Sequence, residues 1–167
     1  MAARDIGDGA IAGVITGVII SLLSLLLALI GLGALTRYAD IRSVLGGLLP
    51  AVTGTAFEVP TIIRMVLLLA LVGMILGAIY GAIYENIPAM GAIPKGIVFM
   101  LAVWAIFGLL IPLIIGTGEG EPAEITAASI VSSLISSIIW GAVLGWVFDW
   151  ISRRAAAPGR APIGDYP

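Results

Sequence analysis

The chain has 167 residues, of which 60% are hydrophobic and 11% charged, against roughly 45–50% and 25% in soluble domains, so it has too little charge to coat a water-facing surface. Its formal net charge of -2 leaves no basic footprint for nucleic acid. The absence of cysteine and histidine excludes disulfides, thiol nucleophiles, Cys/His zinc sites, histidine-ligated haem and any serine-histidine-carboxylate triad.

What remains is an all-α integral membrane four-helix bundle, because lipid accepts outward-facing Leu, Ile and Val as long as the backbone is satisfied inside helices. The first apolar run, Ala10 to Leu35, has no charged residue and exceeds the roughly 20 residues that a span requires. It is also longer than the apolar region of a cleaved signal peptide, so a retained span is expected. Residues 38–49 follow, in which Tyr38, Ile41, Leu45, Leu48 and Leu49 recur at helical spacing among Arg37, Asp40, Arg42 and Ser43. This pattern predicts a short amphipathic helix lying along the membrane surface. Pro50, Gly54 and Pro60 break the chain before a second span at 62–84, with Arg64 in its first turn, where it can snorkel. A third span is expected at 96–116 with a kink or early end at Pro112, and a fourth at 125–151. Residues 1–154 then form one transmembrane domain, and 155–167 a tail rich in Ala, Pro and Gly, expected to be flexible or held by a partner.

Four spans place both termini on one side, together with Arg4, Lys95, Arg153, Arg154 and Arg160, whereas Arg37, Arg42 and Arg64 lie on the other. The positive-inside rule then predicts cytoplasmic termini in the plasma membrane. The loop carrying Glu119, Glu121 and Glu124 has no basic residue and suits the outside. Its GTGEGE stretch reads as a turn, since it lacks both the spacing and the strand-to-helix context of a phosphate-cradling loop.

The second and fourth spans end alike: GAIYGAIYENI from Gly77 and GAVLGWVFDWI from Gly141 share G-A-[IV]-x-G-x-[IV]-[YF]-[ED]-x-I. This points to a duplicated two-helix hairpin, with Gly9-Ala10-Ile11 set beside Gly91-Ala92-Ile93 as a weaker match in the other two spans. Four-residue spacing puts side chains on one helix face, and here that face is small: Gly9, Gly13, Gly17 and Ser21; Gly73, Gly77 and Gly81; Ser129, Ser133, Ser137, Gly141 and Gly145. Such stripes let backbones approach in lipid, where no hydrophobic force holds helices together. They serve either the chain's own packing or a partner's.

Glu85 and Asp149 hold equivalent places in the repeat. A twinned pair of carboxylates could bind a cation at the bundle mouth, but Arg153 lies four residues after Asp149 and Lys95 follows Glu85 in the next loop, which favours ordinary interfacial pairing. No carboxylate, lysine or arginine lies deep in an expected span, where a proton-coupled transporter normally carries one. Ser132, Ser133, Ser136 and Ser137 either line a polar path or bond back to nearby carbonyls. Tyr80, Tyr84, Trp146 and Trp150 form the expected interfacial aromatic belt.

On VGMILGAIYGAIY in the second span, KGIVFMLAVWAIFGLLIPLIIG in the third and SSIIWGAVLGWVFDWI in the fourth, the chain resembles a loose group of uncharacterised small four-span membrane proteins of bacteria and archaea. The resemblance implies the four-helix fold and carries no activity. Members of that group often have a histidine near the start of the fourth span, and this chain has none. The expected function is that of a non-catalytic subunit, without cofactor or metal, that packs against other integral membrane subunits and lipids in a larger respiratory or transport complex. The alternative is a small dimeric channel or transporter with Glu85 and Asp149 at its cytoplasmic mouth.

Overall fold

Uncharged aliphatic runs close their backbone hydrogen bonds within helices, and in the computed structural model, which describes residues 2–45, 59–111 and 127–155, four such helices are long and apolar enough to cross a membrane. The structure is all-α. Helix α1 spans Ala2–Leu29. It ends before the apolar run does, because Gly31 takes φ +79°, a left-handed conformation that costs a glycine nothing. Gly31 N–H donates to Ala28 O at 3.2 Å and Leu32 N–H to Leu27 O at 2.8 Å, the paired bonds of a Schellman cap. The expected limits of 10–35 are therefore shifted toward the N-terminus.

The segment expected as a surface helix over 38–49 has a different form. It is a 3-10 helix, Gly33–Ala39, followed by a single α-turn, α2, Ile41–Val44, and residues 46–49 lie outside the described residues. Ile41 and Val44 are buried in the core, and Ser136 Oγ, in the first half of the last helix, donates to Arg37 O at 3.1 Å. The amphipathic pattern is real, but its apolar face is covered by the bundle.

Helix α3 is Val59–Ile83, with Pro60 in the first turn, where its missing N–H is not needed, and a 3-10 turn, Tyr84–Asn86, extends it. Helix α4, Ala92–Val103, opens after Gly91 at φ +93° and runs on without a break as a π-helix, Trp104–Leu110. Ile111 N–H reaches back five residues to Ile106 O, the wider turn that defines this form. Helix α5 is Ala127–Ala155, with Arg153 and Arg154 in its last turn, favourable against the helix dipole. Pro112, the loop glutamates, residues 125–126 of the expected fourth span and the tail from 156 lie outside the described residues.

The most extensive interfaces are α1 on α3 and α4 on α5, two antiparallel hairpins joined chiefly through α1 and α5. Segment 33–45 fills the space beside α1, α5 and the π-helix. Helices α3 and α5 run in the same direction, as their shared ending predicts, since Tyr84 near the end of one stacks on Phe148 near the end of the other. The start of α1, the end of α3, the start of α4 and the end of α5 thus share one end of the molecule.

Candidate functional site

In the first hairpin the small-residue stripes meet backbone to backbone. A Cβ added at Gly13 would run into the Gly73 carbonyl oxygen and come within 3.0 Å of Gly77 Cα, and one at Gly77 would lie 2.8 Å from Gly13 Cα. Gly9 faces Gly77 and Gly81 in the same way, and Gly17 faces the backbone of Leu69 and Ala70. Three successive turns of α1 therefore touch α3 with no side chain between them. In lipid this close contact is what holds a helix pair together.

The second hairpin repeats only the first of these steps. Gly96 stands against the Gly141 carbonyl and the backbone of Gly145, as Gly9 stands against Gly77 and Gly81. Gly96, not the sequence-aligned Gly91, is thus the structural counterpart of Gly9. One and two turns onward, Met100 and Trp104 take the places that Gly13 and Gly17 hold in the first hairpin. Met100 is fully buried, and the Trp104 indole donates from Nε1 to Ser133 Oγ at 2.8 Å. The π-helix starts at Trp104, and Gly108 makes room for the indole: a Cβ there would lie 2.9 Å from Trp104 Cδ1 and 2.8 Å from Val44 O. Gly96 and Trp104 were not foreseen as packing residues, because a lone glycine followed by bulky residues makes no stripe.

The expected aromatic belt divides in two. Tyr80 has no exposed surface, so its assignment to the interface is corrected: its ring sits among Tyr84, Phe99 and Phe148, with centroids 5.2–5.5 Å away, and its hydroxyl donates to Ala92 O at 2.7 Å. Tyr84 is half-buried in the same cluster, under the Lys95 ammonium, which lies 4.2 Å from the ring centroid and donates to Tyr84 O at 2.7 Å. Trp146 and Trp150 face outward, 55% and 43% exposed.

The two repeated carboxylates differ in surroundings. Asp149 accepts a 2.9 Å ion pair from Arg153, while Glu85 is exposed in the 3-10 turn. Among the described residues no group of three or more metal-ligating side chains gathers. The hydroxyls inside the bundle are turned onto nearby acceptors: Thr16 onto Ala12 O, Ser21 onto Val18 O, Ser133 onto Ile130 O and Ser137 onto Ser133 O, all within 2.8–3.0 Å. Among the described residues every buried side-chain polar atom has a hydrogen-bond partner.

Residues 3–158 match a family described as a family of unknown function, DUF6789. The match covers most of the chain, which therefore belongs to that family of small membrane proteins. No curated protein and no solved structure matches the chain.

Proposed function

We propose that this member of the DUF6789 family is a non-catalytic packing subunit of a larger membrane assembly, set in the plasma membrane with both termini cytoplasmic. The observation that carries the reading is the state of the polar groups inside the bundle. A conducting path requires hydroxyls or carbonyls free to replace an ion's or solute's water. Here Ser133, Ser136, Ser137 and Thr16 donate their hydroxyl protons to carbonyls of the chain itself, which favours a packed body over a pore. The orientation is supported by the end that holds Lys95, Arg153 and Arg154 together with the start of α1.

The outer face of α3 supports a neighbouring helix. Ile63, Leu67, Leu71, Ile75 and Ile79 recur every four residues and are each about half exposed, a continuous apolar ridge on a helix whose one extensive neighbour is α1. Gentle extraction of the tagged chain should bring down other integral membrane subunits in fixed proportion. Leu67→Trp with Leu71→Trp should release them while the chain stays folded. A chain that purifies alone and carries an ion flux in vesicles, lost in Glu85→Gln with Asp149→Asn, would replace this reading with the channel.

A further inference from the structure

One outward face of α5 changes chemistry along its length. Trp146 and Trp150 come first, and then Arg154 at the last turn, all of them exposed. These positions recur every four residues, so each lies about one turn beyond the last on the same side of the helix. Indole and guanidinium groups follow in the order in which a phospholipid presents its interface and its phosphate. The guanidinium is held in place: Arg154 Cζ lies 3.8 Å from the centroid of the Trp150 ring. A guanidinium stacked on an indole keeps its in-plane N–H groups free for a planar or tetrahedral oxyanion.

The two arginines of this turn are not equivalent. Arg153 is committed to Asp149 at 2.9 Å, so that pair contributes no net charge. Among the described side chains no carboxylate forms an ion pair with Arg154, so within that set its charge is open to an anion. The geometry points to Trp150 and Arg154 as the seat of an anionic phospholipid headgroup, with its acyl chains running past Trp146. This rests on the membrane-spanning fold and not on the subunit reading above. The charge selects a net-negative lipid over a zwitterionic one, whose own cation competes with the guanidinium.

The test uses the full chain reconstituted in phosphatidylcholine bilayers containing phosphatidylglycerol. Either lipid carries brominated chains, and the quenching of tryptophan fluorescence reports which lipid occupies the surface. The wild-type chain should prefer phosphatidylglycerol by roughly fivefold at low salt, the discrimination expected of one basic residue at the surface. Arg154→Gln should abolish the preference. Arg154→Lys should retain part of it, since the charge remains but the stacked fork is lost. Removing the neutral pair, Asp149→Asn with Arg153→Gln, should leave it intact, and helicity measured on each variant confirms that it is folded. The proposal is overturned if Arg154→Gln keeps the preference, or if Arg154→Lys keeps all of it, which would mean diffuse charge. Loss of the preference with the neutral pair removed, or its abolition by inorganic phosphate in solution, would overturn it as well.

Discussion

The two hairpins share an ending and diverge within two turns of it. In the first, Gly9, Gly13 and Gly17 keep α1 on the backbone of α3 over three turns. In the second, backbone contact is confined to the start of α4, where Ala92 and Gly96 stand against Gly145 and Gly141, and then Met100 and Trp104 interpose side chains, with the Trp104 indole bonded to Ser133. The first is thus a closed unit built from backbone contact. The second is closed at one end and filled by large side chains toward the other, and it is there that the π-helix lies and segment 33–45 packs. A duplicated sequence need not give duplicated mechanics, because replacing a glycine by tryptophan at one site changes what fills the seam.

That contrast can be broken most forcefully at Gly13. Gly13→Leu places a side chain where the Gly73 carbonyl stands, with backbone on both sides of the seam and no flexible atom to yield. The cost should reach at least about 3 kcal/mol, the upper part of the overpacking range, seen as loss of the folded chain in a detergent-unfolding titration. Gly96→Ala should cost less, roughly 1–3 kcal/mol. It adds only a methyl, which also meets backbone at the Gly141 carbonyl, but beyond it the seam is made of the Met100 and Trp104 side chains, which can readjust. Equal costs for alanine at Gly13 and Gly96 would dissolve the distinction between the hairpins.

A smaller effect is expected at Trp104. Trp104→Phe keeps most of the ring volume and removes the bond to Ser133, so it should lower stability by about 1 kcal/mol, and Ser133→Ala should be nearly silent when combined with it. The smallest concerns the repeated carboxylates. Asp149 and Arg153 form an exposed pair, with 37% and 79% of their side chains accessible, and such pairs contribute about 0–1 kcal/mol. Asp149→Asn and Glu85→Gln should therefore leave the unfolding midpoint almost unchanged in the same titration.

Composition made the four helices and their directions legible, because nothing else accommodates such apolar runs. Their limits were less so. Apolar residues continue through Leu32 and Leu35, and only the left-handed Gly31 marks the end of α1. The small-residue stripes were visible, but whether they faced the chain or a partner depended on tertiary contacts that spacing does not encode. The belt could have been divided correctly from the sequence. Tyr80, Tyr84 and Phe148 each stand three residues after a stripe glycine (Gly77, Gly81 and Gly145), which places them about 60° from the stripe and turns them inward. Trp146 and Trp150 stand one and five residues after Gly145, far enough round the helix to face out. The burial of Ile41 and Val44 was not legible, since an amphipathic turn looks the same whether its apolar face meets lipid or a helix.

The most direct measurement asks whether the glycine seam closes within one chain. The sequence has no cysteine, so spin labels can be placed on cysteines at Ile11 and Ile75, each about half exposed and on opposite partners of the first hairpin. With the doubly labelled chain diluted in an excess of unlabelled chain in bilayers, a short, narrow dipolar distance should persist unchanged, because α1 and α3 of the same molecule stay in contact. If the signal instead faded as unlabelled chain was added, the seam would lie between copies, and the closed first hairpin would be contradicted.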